Sequence, residues 1–190
     1  MFALYSTLKP LAMEEKKASL GLHSLIYGCY TGIALIALTL ILYVTNLYMN
    51  NVLQYASFLI MFIGMALGAI QYRRVQLKGF MTYGQSFSVN FLIGLFASII
   101  SIIFFFFYVK YINPGIIDEI LAQARTKIEA KSGNMSSEQI DQALAMTEKF
   151  MSPVGMVLFG FFGSAFWAAI FSLVISIFLK KKDPNASVII

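Results

Sequence analysis

The chain has 190 residues, of which 59% are hydrophobic and 12% charged, with a mean hydropathy of +0.77. Soluble domains carry about 25% charged residues, so a water-soluble globule is excluded and the solvent is a bilayer. The net charge of +5 does not point to nucleic acid, because the cations flank apolar runs and form no basic stripe.

Residues 1–19 read as a polar tail with Lys9, Lys16 and Lys17 against Glu14 and Glu15. Met13, followed by Glu-Glu-Lys-Lys directly before an apolar run, makes as sensible an N-terminus as Met1. Four apolar runs follow, at about 20–48, 52–72, 86–112 and 153–179. Each reaches the roughly 20 residues that cross a 30 Å hydrocarbon core as helix. The first is too long for the roughly 7–15-residue core of a cleavable signal and reads as a retained span. Continuous apolarity excludes a β-barrel, whose strands alternate over about 10 residues. The expected fold is therefore all-α. It is an integral membrane bundle of four transmembrane helices in a domain spanning 20–182, with tails at 1–19 and 183–190.

Orientation follows from Lys and Arg. The N-terminal tail, the second loop (Arg73, Arg74, Lys78) and the C-terminal end (Lys180, Lys181, Lys182) hold nine of the fourteen cations, while the first loop, 45–51, holds none. Both termini are expected in the cytoplasm. The long third loop holds the other five cations with six acids, and so translocates readily. It also carries helix signals. Asn113-Pro114 resembles a start with Pro at the first helical position, and Ile117, Leu121, Ala124 and Ile128 recur at helical spacing. Ser132-Gly133-Asn134 breaks the pattern, Ser136 and Gln139 make a capping box, and Ile140 and Leu144 continue the apolar face. An extracytoplasmic helical hairpin over 113–152 is expected between spans three and four. Its stripes, Ile117, Leu121, Ile128, Ile140 and Leu144, should pack on each other or on a partner.

Within the spans, small residues recur every fourth position: Ser24, Gly28 and Gly32; Ala56, Gly64 and Gly68; Ser86, Asn90, Gly94 and Ser98; and Gly160, Ser164, Ala168, Ser172 and Ser176. Such stripes let helix backbones approach closely, and close packing within one chain is favoured over a dedicated oligomer interface. Counting along the antiparallel spans puts His23, Ser24, Gly68, Gln71, Gln85, Ser86, Asn90, Ser172 and Ser176 at one depth near the cytoplasmic face. This polar layer either lines a small inward-facing site or makes interhelical hydrogen bonds worth about 0.6 kcal/mol each; the second role is favoured. His23 should snorkel or cap at the interface, Cys29 should fill core, Phe104–Phe107 should mostly meet lipid, and Trp167 should turn inward with Gly163 making room.

No Asp, Glu, Lys or Arg lies in the central part of any span, which counts against proton-coupled transport. One cysteine and one histidine cannot make a transition-metal set, and no P-loop, GxGxxG, HExxH or paired carboxylates are present. No cofactor, metal or catalytic residue is expected, and an enzyme acting on lipids is the least favoured reading.

The motifs Tyr72-Arg73-Arg74, Thr82-Tyr83-Gly84-Gln85-Ser86-Phe87 and Tyr111-Ile112-Asn113-Pro114, with four spans and a helical hairpin, resemble a bacterial family numbered forty-one ninety-nine among domains of unknown function. The resemblance covers nearly the whole chain, about 18–182. It implies a four-span inner-membrane protein and carries over no activity and no functional residues. The leading expectation is a non-enzymatic scaffold, accessory or envelope-associated interaction protein, whose partners are the lipid bilayer, a membrane or periplasmic protein, or a second copy. The alternative is a small oligomeric channel or transporter lined by the polar layer.

Overall fold

The computed structural model describes residues 19–131 and 136–182. The N-terminal cations, the choice between Met1 and Met13 and the Ser132-Gly133-Asn134 break lie outside the described residues. Six α-helices account for nearly all of what is described: α1 (Leu20–Val44), α2 (Asn51–Val75), α3 (Tyr83–Phe107), α4 (Ile116–Lys131), α5 (Ser137–Met151) and α6 (Pro153–Leu179). α3 widens into a π-helix over Tyr108–Ile112. Helices α1, α2, α3 and α6 contain stretches long and apolar enough to cross a membrane, and no strand is present among the described residues.

The helix starts are written in local chemistry. Ser19 Oγ accepts from Leu22 N at 3.3 Å, and Asn50 Oδ1 accepts from Val52 N at 2.9 Å. Ser136 and Gln139 form the expected capping box, with Ser136 N donating to Gln139 Oε1 at 3.0 Å and Gln139 N to Ser136 Oγ at 3.3 Å. Ser136→Ala should remove about 1 kcal/mol from α5, read as faster amide exchange in its first turn with no change in α6. α4 starts two residues later than Pro114, at Ile116, because Asn113 leaves the π-helix with non-helical backbone angles and Pro114-Gly115 makes the turn. Ser152 ends α5 and caps α6, donating to Lys149 O at 2.7 Å and accepting from Gly155 N at 3.1 Å. A side chain at Gly155 would meet the Lys149 and Phe150 carbonyls, so glycine permits the tight α5–α6 corner.

The α2–α3 turn is pinned as firmly. Lys78 and Gly79 both have positive φ, 53° and 93°, a conformation that glycine takes at no steric cost. Beyond the turn Met81 exchanges two backbone hydrogen bonds with Lys181, at 3.0 and 2.8 Å, while Arg73 Nη1 donates to Leu179 O at 3.0 Å. This basic loop thereby ties the end of α6 to the start of α3.

Packing is unequal along the bundle. One cluster of buried residues, Met61, Met65, Ala69, Met81, Val89, Ile93, Ala168 and Ile175, runs from the middle of the bundle toward the end where α1 begins and α6 ends, and Leu42, Ala97, Tyr108 and Ile116 are buried outside it. The opposite half is looser and is covered by α4 and α5, which pack on each other, with α5 also touching α6.

Candidate functional site

Three features of the molecule could carry function: a polar seam in the tight half, an apolar cavity in the loose half, and the α4–α5 pair above that cavity.

The seam follows from the four-residue ladders. A Cβ built on Gly94 would lie 2.7 Å from Ala168 Cβ, and one on Gly160 would lie 3.9 Å from Ile102 Cγ1. The two helices are antiparallel, and eight residues forward on α3 match eight back on α6. The same register places Ser98 level with Ser164, Asn90 with Ser172, and Ser86 with Ser176. On the other side, a Cβ on Gly28 would meet Phe96 Cβ at 2.5 Å and Ile93 O at 3.1 Å, so α1 lies against α3 backbone to backbone. Small side chains set these distances, and dispersion between the close backbones holds them.

Ser24, Ser86, Asn90, Ser172 and Ser176 are all fully buried here. Asn90 Nδ2 donates to Ser86 O at 2.8 Å and to Ser86 Oγ at 3.3 Å, and Ser172 Oγ donates back to Ala168 O at 2.6 Å. These bonds run within a helix, four residues back. Ser24 Oγ, Asn90 Oδ1 and Ser176 Oγ are buried without a protein hydrogen-bond partner. His23 does not snorkel: it is 7% exposed, its Nε2 lies 2.9 Å from Gly68 O, and its ring stacks on Tyr27 and meets the edge of Tyr72. The absence of a side chain at Gly68 brings that carbonyl within reach. Gln71 and Gln85 do not join the layer. Both are exposed, and Gln85 instead closes a capping box with Thr82 at the start of α3. Trp167 is also turned outward, 42% exposed, with its ring 5.1 Å from Phe58 and 5.8 Å from Phe171. The ladder gives α3 the face that bears Ala168, which rotates residue 167 away, and a side chain on Gly163 would meet nothing within 4 Å. Cys29 is half-buried and free, and of the four phenylalanines Phe106 and Phe107 are exposed while Phe104 and Phe105 are half-buried.

Where the bundle loosens, a cavity of about 450 Å³ opens between all four spans. Leu35, Ile36, Ile102, Phe105, Met156 and Val157 lie in its wall, and Ile120, Phe150 and Met151 border it from the α4–α5 side. Its polar groups are hydroxyls. Thr39 and Ser164 spend theirs on Leu35 O and Gly160 O, Ser57 also lines the wall, and Ser101 Oγ is buried with no protein partner. Such a wall cannot move a proton or bind a phosphate; it can surround hydrocarbon. The gap is a half-open cleft and not an enclosed void, so it is accessible from outside the bundle.

The α4–α5 pair is fastened at its base. Tyr48 Oη, in the α1–α2 loop, donates to Glu119 Oε2 at 2.8 Å, and Tyr43 Oη donates to Ile112 O at 3.0 Å. The hydrogen bond to the Glu119 carboxylate, with smaller contributions from desolvation and charge, raises the Tyr48 pKa above its ordinary value. The phenol therefore stays protonated into alkaline solution, and its donation to Glu119 is lost as pH rises through the raised value. Ile117, Leu121, Ile128, Ile140 and Leu144 are each half-buried, while Arg125 pairs with Glu129 at 3.0 Å on the exposed face. No group of three or more His, Cys, Asp or Glu able to hold a metal occurs among the described residues.

Residues 26–181 match the profile of a family described as "Protein of unknown function (DUF4199)". The chain belongs to DUF4199. In this DUF4199 protein the matched stretch runs from the second turn of α1 to the Lys181 bridge, so the cavity, the α4–α5 pair and all of the seam except His23 and Ser24 lie within it. Neither a curated protein nor a solved structure matches the chain.

Proposed function

We propose that this DUF4199 protein is a non-enzymatic scaffold, accessory or envelope-associated interaction protein of the bacterial inner membrane. Its termini face the cytoplasm, and α4–α5 projects as a hairpin on the far side to meet a membrane or periplasmic protein. The observation that carries this reading is that α4 and α5, though independently started and fastened, contribute only Ile116 to the buried interior among the described residues. Helices that add so little to the core have another use, and their outer faces are free for contact. The orientation rests on Arg73, Arg74, Lys78 and Lys180–Lys182 clustering at one end of the bundle.

The test has two parts. In a Cys29→Ala background, Gln142→Cys should react with a membrane-impermeant maleimide in intact spheroplasts, and Lys78→Cys only after lysis. A photocrosslinker at Met146, which is 58% exposed, should then give one dominant crosslinked product with a different protein. Deleting 116–149 across a short linker should abolish capture while leaving the four spans inserted. Reversed labelling removes the topology, and unchanged partners after deletion remove the hairpin as the contact surface.

The alternative, an oligomeric channel or transporter, has one observation in its favour, the three orphaned oxygens Ser24 Oγ, Asn90 Oδ1 and Ser176 Oγ. Full burial of the layer inside one chain counts against it, since a residue lining a path is open to that path.

A further inference from the structure

We propose that the cavity beneath α4 and α5 is a binding site for one hydrocarbon tail of a membrane lipid, drawn from the leaflet on the α4–α5 side. Position, size and chemistry each narrow the occupant. The cavity lies among residues of the four apolar spans, at the end of the bundle where the α3–α6 seam relaxes from the Gly94–Ala168 contact to the wider Gly160–Ile102 one. Hydrocarbon is the surrounding solvent there. Water is a poor occupant, because an apolar cavity remains dry unless several polar groups converge; here the hydroxyls of Thr39 and Ser164 are committed to their own helices, and Ser57 and the unpartnered Ser101 are the other two hydroxyl residues in a lining that is otherwise apolar.

Size excludes a partner helix. A helix with its side chains is about 10–12 Å across and rises 5.4 Å per turn, so 450 Å³ would take scarcely one turn. With a methylene taken as about the size of a water, roughly 30 Å³, the same space holds about fifteen carbons. That is one tail of a membrane lipid. The roof is part of the site: Phe150 packs edge-on against Phe159 with ring centroids 4.3 Å apart, and Ile120 is the neighbour in sequence of Glu119, which Tyr48 holds. α4 and α5 would therefore report on, or depend on, a bound lipid, which gives the pair a role independent of any protein partner.

The test uses the full chain in phosphatidylcholine vesicles containing a phosphatidylcholine tracer with a diazirine midway along one tail. After photolysis, adducts should concentrate on Leu35, Ile102 and Met156 at least fivefold above those on Phe162, which faces outward on α6. Gly160→Phe, at a position whose Cβ would have room, should fill the cavity and reduce the cavity adducts at least fivefold while leaving those on Phe162 unchanged. Gly163→Phe, on the exposed side of the same helix, should change neither. Native mass spectrometry of the unaltered protein guards against a misfolded variant and should find one retained lipid per chain after mild detergent exchange. Equal labelling of cavity and outward residues, labelling unaffected by Gly160→Phe, or no retained lipid would each overturn the proposal. So would crosslinking of the cavity wall to a second chain.

Discussion

Gly94→Ala should destabilise the bundle by about 1–3 kcal/mol, and Ala168→Gly in the same chain should restore most of the loss. A methyl group on Gly94 would sit 2.7 Å from the Ala168 methyl, with Met61 Cε and Met65 Sδ each 3.3 Å away. Helices α3 and α6 would then have to separate, and overpacking of this kind costs about 1–3 kcal/mol. Ala168→Gly alone should cost about 1 kcal/mol through helix propensity. Combined with Gly94→Ala it merely moves the methyl across the seam, so the two changes should couple by at least about 1 kcal/mol. Gly94→Leu should go further and prevent assembly of the bundle, since no removal at Ala168 makes room for an isobutyl group. Reversible unfolding in mixed micelles, followed by circular dichroism, supplies all four corners of the cycle. A neutral Gly94→Ala, or a double variant whose losses simply add, would mean that the antiparallel register is wrong.

The seam was legible in the sequence because its signal is periodic. Small residues every fourth position on α3 and α6 specify a face as well as a span, and the structure packs those faces on each other. The capping box at Ser136–Gln139 was legible for the same reason, a fixed spacing with a local cause. Thr82-x-x-Gln85 carries the same pattern, and applying it there would have removed Gln85 from the polar layer. Gln71 was misplaced by another route. Counting residues gives depth along an antiparallel bundle but not rotation about each helix axis, and Gln71 lies at the right level on an outward face. His23 and Trp167 depart from expectation because position along a span, near its end for one and near its middle for the other, does not fix which way a side chain turns. The buried site of one is made by the Gly68 carbonyl and Tyr27, and the outward site of the other by the rings of Phe58 and Phe171. Nothing in a one-dimensional pattern could have revealed the cavity. It exists because the α3–α6 contact, tight at Gly94 and Ala168, widens by Gly160 and Ile102, and because Tyr48 reaches Glu119 across 71 residues to fix the roof.

Asn90→Asp should be the most damaging single-atom change in the chain, and Asn90→Leu should be mild. The Asn90 side chain is 0% exposed, and its Nδ2 donates to the Ser86 carbonyl and hydroxyl. Replacing Nδ2 by a carboxylate oxygen sets an acceptor against the Ser86 carbonyl and buries a charge, which on the mildest membrane scale costs up to about 2.5–3.5 kcal/mol, the value at the centre of a span. Leucine has nearly the same shape as asparagine and removes both the donor and the orphaned Oδ1. The loss is then of intramembrane hydrogen bonding, about 0.6 kcal/mol per contact, partly offset by removing an unsatisfied acceptor. The predicted gap between the variants is therefore at least about 2 kcal/mol, read from unfolding in micelles or from the yield of folded protein. The same pair separates the two functional readings. If the layer serves only to lock α3 against α6, Asn90→Leu retains every partner crosslink and changes no solute flux in liposomes. If the layer lines a path, Asn90→Leu alters flux while leaving the fold intact, and the scaffold reading gives way to a channel.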